Sequence, residues 1–206
     1  MKKYIMGDQI NIQYDLGDII IKDFVTITLI CNGYLYTCGH CFPKNAYTIY
    51  GNLVYTSGFD TEQEGQEIAI IKIKPDKLKY FIEIKLSNNF NYNNENNKVY
   101  MINSGKLFTG NIITEIKEDL DRQLLYVEKD NYTINHEITK IDVPYYFIKS
   151  NFKSKNGYSG SPWIIKQNNK WFLLGTHIGS TSGTNNNENI NIVYIKPLIL
   201  NILNKI

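Results

Sequence analysis

The sequence predicts an all-β protein, and three observations carry the expectation. Most of the chain breaks into short runs rich in Ile, Val, Tyr, Phe and Thr, whose branched or flat side chains suit a pleated surface. Gly, Asn and Asp separate those runs, as turns between antiparallel strands require. One separator is Asn32-Gly33, which supplies the two positive-φ positions of a type I′ turn and makes a hairpin of residues 24–37, FVTITLICNGYLYT.

After that hairpin, strands are expected at residues 47–56, 67–73 and 80–86. The polar stretch SNNFNYNNENN (87–97) has no apolar face to bury and reads as a loop or linker. Beyond it, strands are expected at 98–103, 107–117, 123–128, 145–149, 163–166, 171–177 and 190–195. So many short strands imply closed barrels or a sandwich. The last stretch, KPLILNILNKI (196–206), has Pro197 at a permitted first-turn position and apolar residues at helical spacing, which predicts a short C-terminal helix. The expected organisation is an N-terminal extension and first barrel over 1–87, an Asn-rich linker over 88–97, and a second barrel with the terminal helix over 98–206.

Composition excludes several classes of function. At 206 residues and 43% hydrophobic content the chain can bury a substantial core. A formal net charge of +2 from balanced acids and bases offers no broad cationic surface for nucleic acid. No segment supplies the roughly 18 consecutive apolar residues of a membrane span, and no apolar run follows Lys2 and Lys3 as in a signal peptide. The expectation is a soluble protein of the cytoplasm or another intracellular compartment, with Cys31, Cys38 and Cys41 as reduced thiols.

The stretch NGYSGSPW (156–163) sets two small serines among glycines in a chain otherwise full of bulky residues. A serine hydroxyl is chemically useful where nearby amide hydrogens can meet a developing negative charge, and glycine permits that approach. Ser159 is the candidate nucleophile. It needs a base, and the chain has three histidines. His40 follows a hairpin strand on a short turn, His136 sits in an ordinary strand or turn context, and His177 ends the strand WFLLGTH. An acid must orient the base. Glu67 heads the apolar run IAIIKI, where a partly buried carboxylate would need an imidazole N–H; Asp60 and Glu64, in the preceding loop, are weaker choices.

These motifs resemble those of the chymotrypsin-like serine proteases. TCGHC is similar to their TAGHC, EIAIIKI to DIALIKL and GYSGSP to GDSGGP, in the same order along the chain. The likeness extends from residue 24 to the end. It implies two antiparallel six-stranded β-barrels with a cleft between them, and acyl transfer by Ser159, His40 and Glu67 with the N–H groups of Gly157 and Ser159 as oxyanion hole. Two departures stand out: Glu67 takes the place of the usual Asp, and Tyr158 replaces the acid of GDSG, so activation through the usual internal ion pair is not expected.

GTHIGS places His177 where the family lines its primary specificity pocket, as in glutamyl endopeptidases and picornavirus-type main proteases. The resemblance implies Ser154, Thr176, His177 and Gly179 as substrate-binding residues and a preference for Glu or Gln before the cleaved bond; Lys153 would favour Glu. The partner is then a polypeptide, such as a viral or cellular precursor. A Cys31–Cys41 disulfide would echo the family's histidine-loop bridge. Cys38, His40 and Cys41 are metal-ligand types at CxxC spacing, but no second pair completes a regular site, so neither metal nor cofactor is expected. The rival reading is a protease-fold module with little or no activity that binds peptides or a partner protein.

Overall fold

A computed structural model of the chain describes residues 1–57, 67–87, 98–112, 116–119, 124–127, 132–134, 146–150, 155, 157–185 and 188–196. In the first half the strands are β1 (Gln9–Asp15), β2 (Ile20–Thr26), β3 (Leu29–Cys31), β4 (Tyr34–Cys38), β5 (Ala46–Tyr47), β6 (Gly51–Ser57) and β7 (Ile68–Ile73). In the second they are β8 (Lys98–Asn103), β9 (Lys106–Ile112), β10 (Ile116–Asp119), β11 (Leu124–Val127), β12 (Tyr132–Ile134), β13 (Tyr146–Ser150), β14 (Pro162–Gln167), β15 (Lys170–Asn185) and β16 (Glu188–Lys196). All ladders between them are antiparallel, so the all-β prediction holds. The β3–β4 turn is the predicted one, with Asn32 at φ 51° and Gly33 at φ 81°. No helix among the described residues is long and apolar enough to cross a membrane.

The two-barrel expectation needs correction in its detail. In the second half six strands pair in a ring, β13-β16-β15-β14-β8-β9, with β10-β11-β12 as a separate three-stranded sheet. The first half pairs as two open sheets, β2-β1-β5 and β3-β4-β7-β6. The break falls at Ile27 and Thr28, where the chain leaves β2 for β3: Ile27 N–H donates to Asp8 O at 2.8 Å and Thr28 N–H to Tyr36 O at 2.8 Å, so one continuous path switches sheets. Residues 9–23, ahead of the first expected strand, build β1 and most of β2. The strand expected at 80–86 is absent. Pro75–Tyr80 is a 3-10 helix, and residues 81–87 make only isolated bridges, Phe81 with Tyr4 and Ser87 with Phe172. The Asn-rich segment 88–97 and the C-terminal helix expected after Lys196 lie outside the described residues.

β7 explains its own sequence. It lies between β4 and β6 and is covered on both faces over Ile68–Ile71, so those four residues are all apolar where a half-exposed strand would alternate; only Lys72 reaches solvent. Ala69, Ile71 and Ile73 enter a core with Ile10, Ile27 and Leu35; Ile68 and Ile70 pack with Leu29 and Tyr36 against the half-buried Leu173 of β15. A third cluster, with Trp163, Ile165 and Met101, fills the second half. Burying each such side chain is worth about 1.5–3 kcal/mol. Those contacts fix where the two halves meet.

Candidate active site

β4 ends at Cys38, and the chain tightens into a 3-10 helix, Gly39–Cys41. The turn is held from both sides: Phe42 N–H donates to Gly39 O at 3.2 Å, and Thr56 Oγ1 donates to Phe42 O at 2.7 Å. Glu67 stands beside it because Cys38 pairs with Ile68 across the β4–β7 ladder and Gly39 N–H donates to Glu67 O at 2.9 Å. Glu67 is fully buried at φ 51°, a left-handed conformation that costs a side-chain-bearing residue about 1–3 kcal/mol and that clusters at functional sites.

Ser159 lies on a turn flanked by Gly157 at φ 94° and Gly160 at φ 93°. At Gly160 both the angle and the space demand glycine, since a Cβ would stand 2.5 Å from Thr26 O and 2.9 Å from Thr37 Oγ1. The turn is moored to the first half and to β8. Gly157 O accepts from Thr26 Oγ1 at 2.9 Å, Asn103 Nδ2 at 3.3 Å and Gln9 Nε2 at 3.4 Å, and Gly160 O accepts from Thr28 Oγ1 at 2.5 Å. Among the described residues no backbone carbonyl engages the N–H of Gly157 or of Ser159. Thr26, Thr28 and Asn103 build the site, yet the sequence does not single them out. Their only signal is a polar side chain within an apolar strand pattern, and their partners are remote in sequence.

The three predicted chemical groups come together in a line. His40 Nδ1 is 3.0 Å from Glu67 Oε2, and His40 Nε2 is 3.1 Å from Ser159 Oγ. Glu67 Oε2 also accepts from His40 N–H at 3.3 Å and from Cys38 Sγ at 3.3 Å, while Glu67 Oε1 is buried without a partner. Ser159 Oγ is equally 3.1 Å from Ile178 O. The hydroxyl has one proton and two acceptors, so it donates to Nε2 when His40 is neutral and to Ile178 O when His40 carries a proton there. Burial lowers the His40 pKa, but hydrogen bonds and charge from Cys41 and Glu67 outweigh it and raise the imidazole from 6.5 to about 10. Cys41 is drawn down to about 5, first by its hydrogen bond with Cys38 and then, against burial, by His40; burial pushes the Cys38 thiol up. All three cysteines are free thiols, so the Cys31–Cys41 bridge is not formed.

These groups open on a cleft of about 650 Å³ whose walls include Tyr14, Phe24, Lys155, Ile178 and Gly179. Of the predicted substrate-binding residues, Gly179 lines it. The β15–β16 register shifts between His177 and Gly179, and that irregularity turns Ile178 O toward Ser159. Thr176 does not reach the cleft. It is 3% exposed and bonds Thr28 Oγ1 at 3.2 Å, so strand alternation turns it into the seam between halves. His177 is fully buried behind the wall, stacked on Trp163, with the edge of Tyr158 against it. Trp163 Nε1–H donates to His177 Nδ1 at 3.0 Å; an indole can only donate, so the His177 proton resides on Nε2. Burial, assisted by the charge of His40, pulls His177 down to about 3, and the ring stays neutral. Ser154, Lys153, His136, Asp60 and Glu64 lie outside the described residues.

No family model matches the sequence, and no curated protein does. Solved structures do match. The Rv3671c protease from M. tuberculosis in its active form is 13% identical at a TM-score of 0.50, with 93% of this chain and 76% of that one covered. The NS6 protease from murine norovirus 1 is 12% identical at 0.49, covering 93% and 92%. The catalytically inactive tobacco etch virus protease complexed with substrate is 13% identical at 0.39, covering 97% and 82%. At such identities the likeness is one of fold, and the Rv3671c protease carries it: the chain has the fold of the chymotrypsin-like proteases.

Proposed function

We propose that the protein is a serine endopeptidase acting through an acyl-enzyme. The observation that carries this reading is the unbroken line from Glu67 Oε2 to His40 Nδ1 (3.0 Å) and from His40 Nε2 to Ser159 Oγ (3.1 Å). Ser159 Oγ attacks the scissile carbonyl carbon while neutral His40 takes its proton at Nε2. The oxyanion is met by the N–H groups of Gly157 and Ser159, each worth about 10²–10³ in rate. His40 then returns the proton to the leaving amine. Water enters and attacks the ester with His40 again as base, which releases the acid and restores Ser159. Glu67 supports the imidazolium throughout.

Because His40 is raised to about 10, only its deprotonated fraction acts as base near neutrality, and the rate climbs with pH. The substrate side chain before the scissile bond is Glu or Gln. The support for this is the likeness of GTHIGS to the family's pocket strand. His177 stays neutral with its proton on Nε2, and, being fully buried behind Ile178 and Gly179, it meets a substrate carbonyl oxygen only when that wall shifts. Its neutrality favours the uncharged Gln amide over a buried carboxylate. The substrate is a polypeptide such as a viral or cellular precursor.

The test is labelling by a fluorophosphonate together with cleavage of peptides that differ only as Gln, Glu, Lys or Phe before the bond. Labelling of the native chain but not of Ser159→Ala, with Gln and Glu peptides cut best, is the expected result. No labelling of folded native protein would favour the peptide-binding module instead, and preferred cleavage after Lys or Phe would remove His177 from the pocket.

A further inference from the structure

The cysteines flanking His40 take no bond-making step in that chemistry, though they tune the imidazole and its acid, and they complete a second constellation around the same ring. One ligand atom from each of Cys38, His40 and Cys41 lies within 4.8 Å of the others. Cys38 Sγ is 2.9 Å from His40 Nδ1 and 3.3 Å from Glu67 Oε2, and Nδ1 and Oε2 are 3.0 Å apart. A tetrahedral zinc ion, with bonds of about 2.3 Å to sulfur and about 2.0–2.1 Å to nitrogen or oxygen, spaces its ligands by roughly 3.3–3.8 Å. Cys38 Sγ, His40 Nδ1 and Glu67 Oε2 therefore need to part by only a few tenths of an ångström, and Cys41 Sγ, within 4.8 Å of the Cys38 and His40 ligand atoms, needs to close on them by up to about one ångström. The carboxylate nearest to these three is Glu67, brought across the β4–β7 ladder to within 3.3 Å of Cys38 Sγ and 3.0 Å of His40 Nδ1, and it is the group available as a fourth ligand.

A separate observation points to a missing ligand. Glu67 is 0% exposed and its Oε1 has no partner, although a buried carboxylate oxygen is costly unless something cationic or hydrogen-bonding meets it. Two sulfurs, one imidazole and one carboxylate suit zinc, and poorly suit magnesium or calcium.

We infer that Cys38 Sγ, Cys41 Sγ, His40 Nδ1 and a Glu67 oxygen form a zinc site on the inner side of the nucleophile–base pair, and that its occupancy switches the serine off. Zinc binding displaces two protons to solvent, one from the Cys38 thiol and one from His40 Nδ1. A neutral imidazole that coordinates through Nδ1 keeps its remaining proton on Nε2. That proton faces Ser159 Oγ across 3.1 Å, so His40 has no lone pair with which to deprotonate the serine. All four positions are filled by protein, leaving none for an activated water, so the site is regulatory and not hydrolytic. The metal site stands on geometry alone; only its inhibitory effect rests on the peptidase reading.

The experiment uses the full chain, reduced and freed of metal by a chelator. Titration with Co²⁺ should give thiolate-to-metal charge-transfer bands and intense tetrahedral d–d bands at one equivalent, in the native chain and in Ser159→Ala alike, with Zn²⁺ displacing the signal. Cys38→Ser and Cys41→Ser should each weaken binding by at least the about 10–100-fold that even an outer-shell change costs. Should either variant misfold by circular dichroism, bound Zn²⁺ should still protect Cys41 of the native chain from alkylation. In parallel, one equivalent of Zn²⁺ should suppress fluorophosphonate labelling of the native chain, a chelator should restore it, and the labelling rate of Cys41→Ser, whatever its size, should ignore zinc. Labelling without any thiolate–cobalt band would overturn the metal site and spare the peptidase. A cobalt band in a protein that never labels, even metal-free, would do the reverse, and undiminished labelling with zinc bound would overturn the switch.

Discussion

Replacing Glu67 by Gln changes one atom in a fully buried side chain, and the structure says what each orientation of the new amide would cost. Glu67 Oε2 meets three donors, His40 Nδ1–H, His40 N–H and the Cys38 thiol, at 3.0, 3.3 and 3.3 Å, while Oε1 meets none. With the amide oxygen in the Oε2 position, the NH₂ group falls where Oε1 was and two donors are buried unpaired, costing about 1–3 kcal/mol of stability. With the nitrogen there instead, His40 Nδ1 must become an acceptor, its proton moves to Nε2, and Ser159 loses its base; loss of the correct tautomer costs about 10⁴ in rate. The expected outcome lies between the two orientations, a fall in activity of about 10²–10⁴, equivalent to about 3–5 kcal/mol of barrier. The assay is the rate of Ser159 labelling by a fluorophosphonate, read by mass, beside urea denaturation of the same samples. A variant that labels at the native rate would refute the claim that Glu67 orients and supports His40.

The same geometry sets four more outcomes. Cys41 and Glu67 raise His40 to about 10, so labelling of the native chain should rise about tenfold per pH unit from neutrality and level off near pH 10, and Cys41→Ser should move that midpoint down toward 6.5; a plateau already reached at pH 7 would contradict it. The same raised pKa stabilises the fold fully below pH 6.5, and that stabilisation is lost as pH rises through about 10, which urea midpoints across that range would report. Gly160→Ala should cost about 2–5 kcal/mol, because its φ of 93° strains any side chain and the new Cβ meets Thr26 O at 2.5 Å; an unchanged denaturation midpoint would show that the turn is not held as described. Trp163→Phe removes the donor that fixes the His177 tautomer while keeping an apolar ring, and should blunt the preference for Gln over Leu peptides far more than it slows the fluorophosphonate.

Most of the strand pattern is legible in the sequence because it is local. Asn32-Gly33 makes its turn from its own backbone preferences, and the IAIIKI run advertises a strand covered on both faces. Residues 80–86 mislead for the converse reason: they have strand composition, but a strand exists only if a neighbour supplies a ladder, and Tyr4 offers only an isolated bridge. The strand at residues 9–15, although not among those expected above, is legible too: QINIQYD alternates polar with apolar residues, and Ile10 and Ile12 are the buried ones.

The sequence by itself determined which atoms could do chemistry: a serine between glycines, a histidine on a tight turn, an acid at the head of a buried strand. Those are matters of residue type and neighbouring backbone, which short windows record. Only the tertiary structure decided which pairs of them meet. The threonines and asparagine that grip the Ser159 turn, the indole that sets the His177 proton and the buried carboxylate whose one oxygen meets imidazole and thiol while the other is left alone all depend on through-space distances between segments far apart in the chain. A linear order does not encode such distances, because they are fixed only when the cores of the two halves close upon each other.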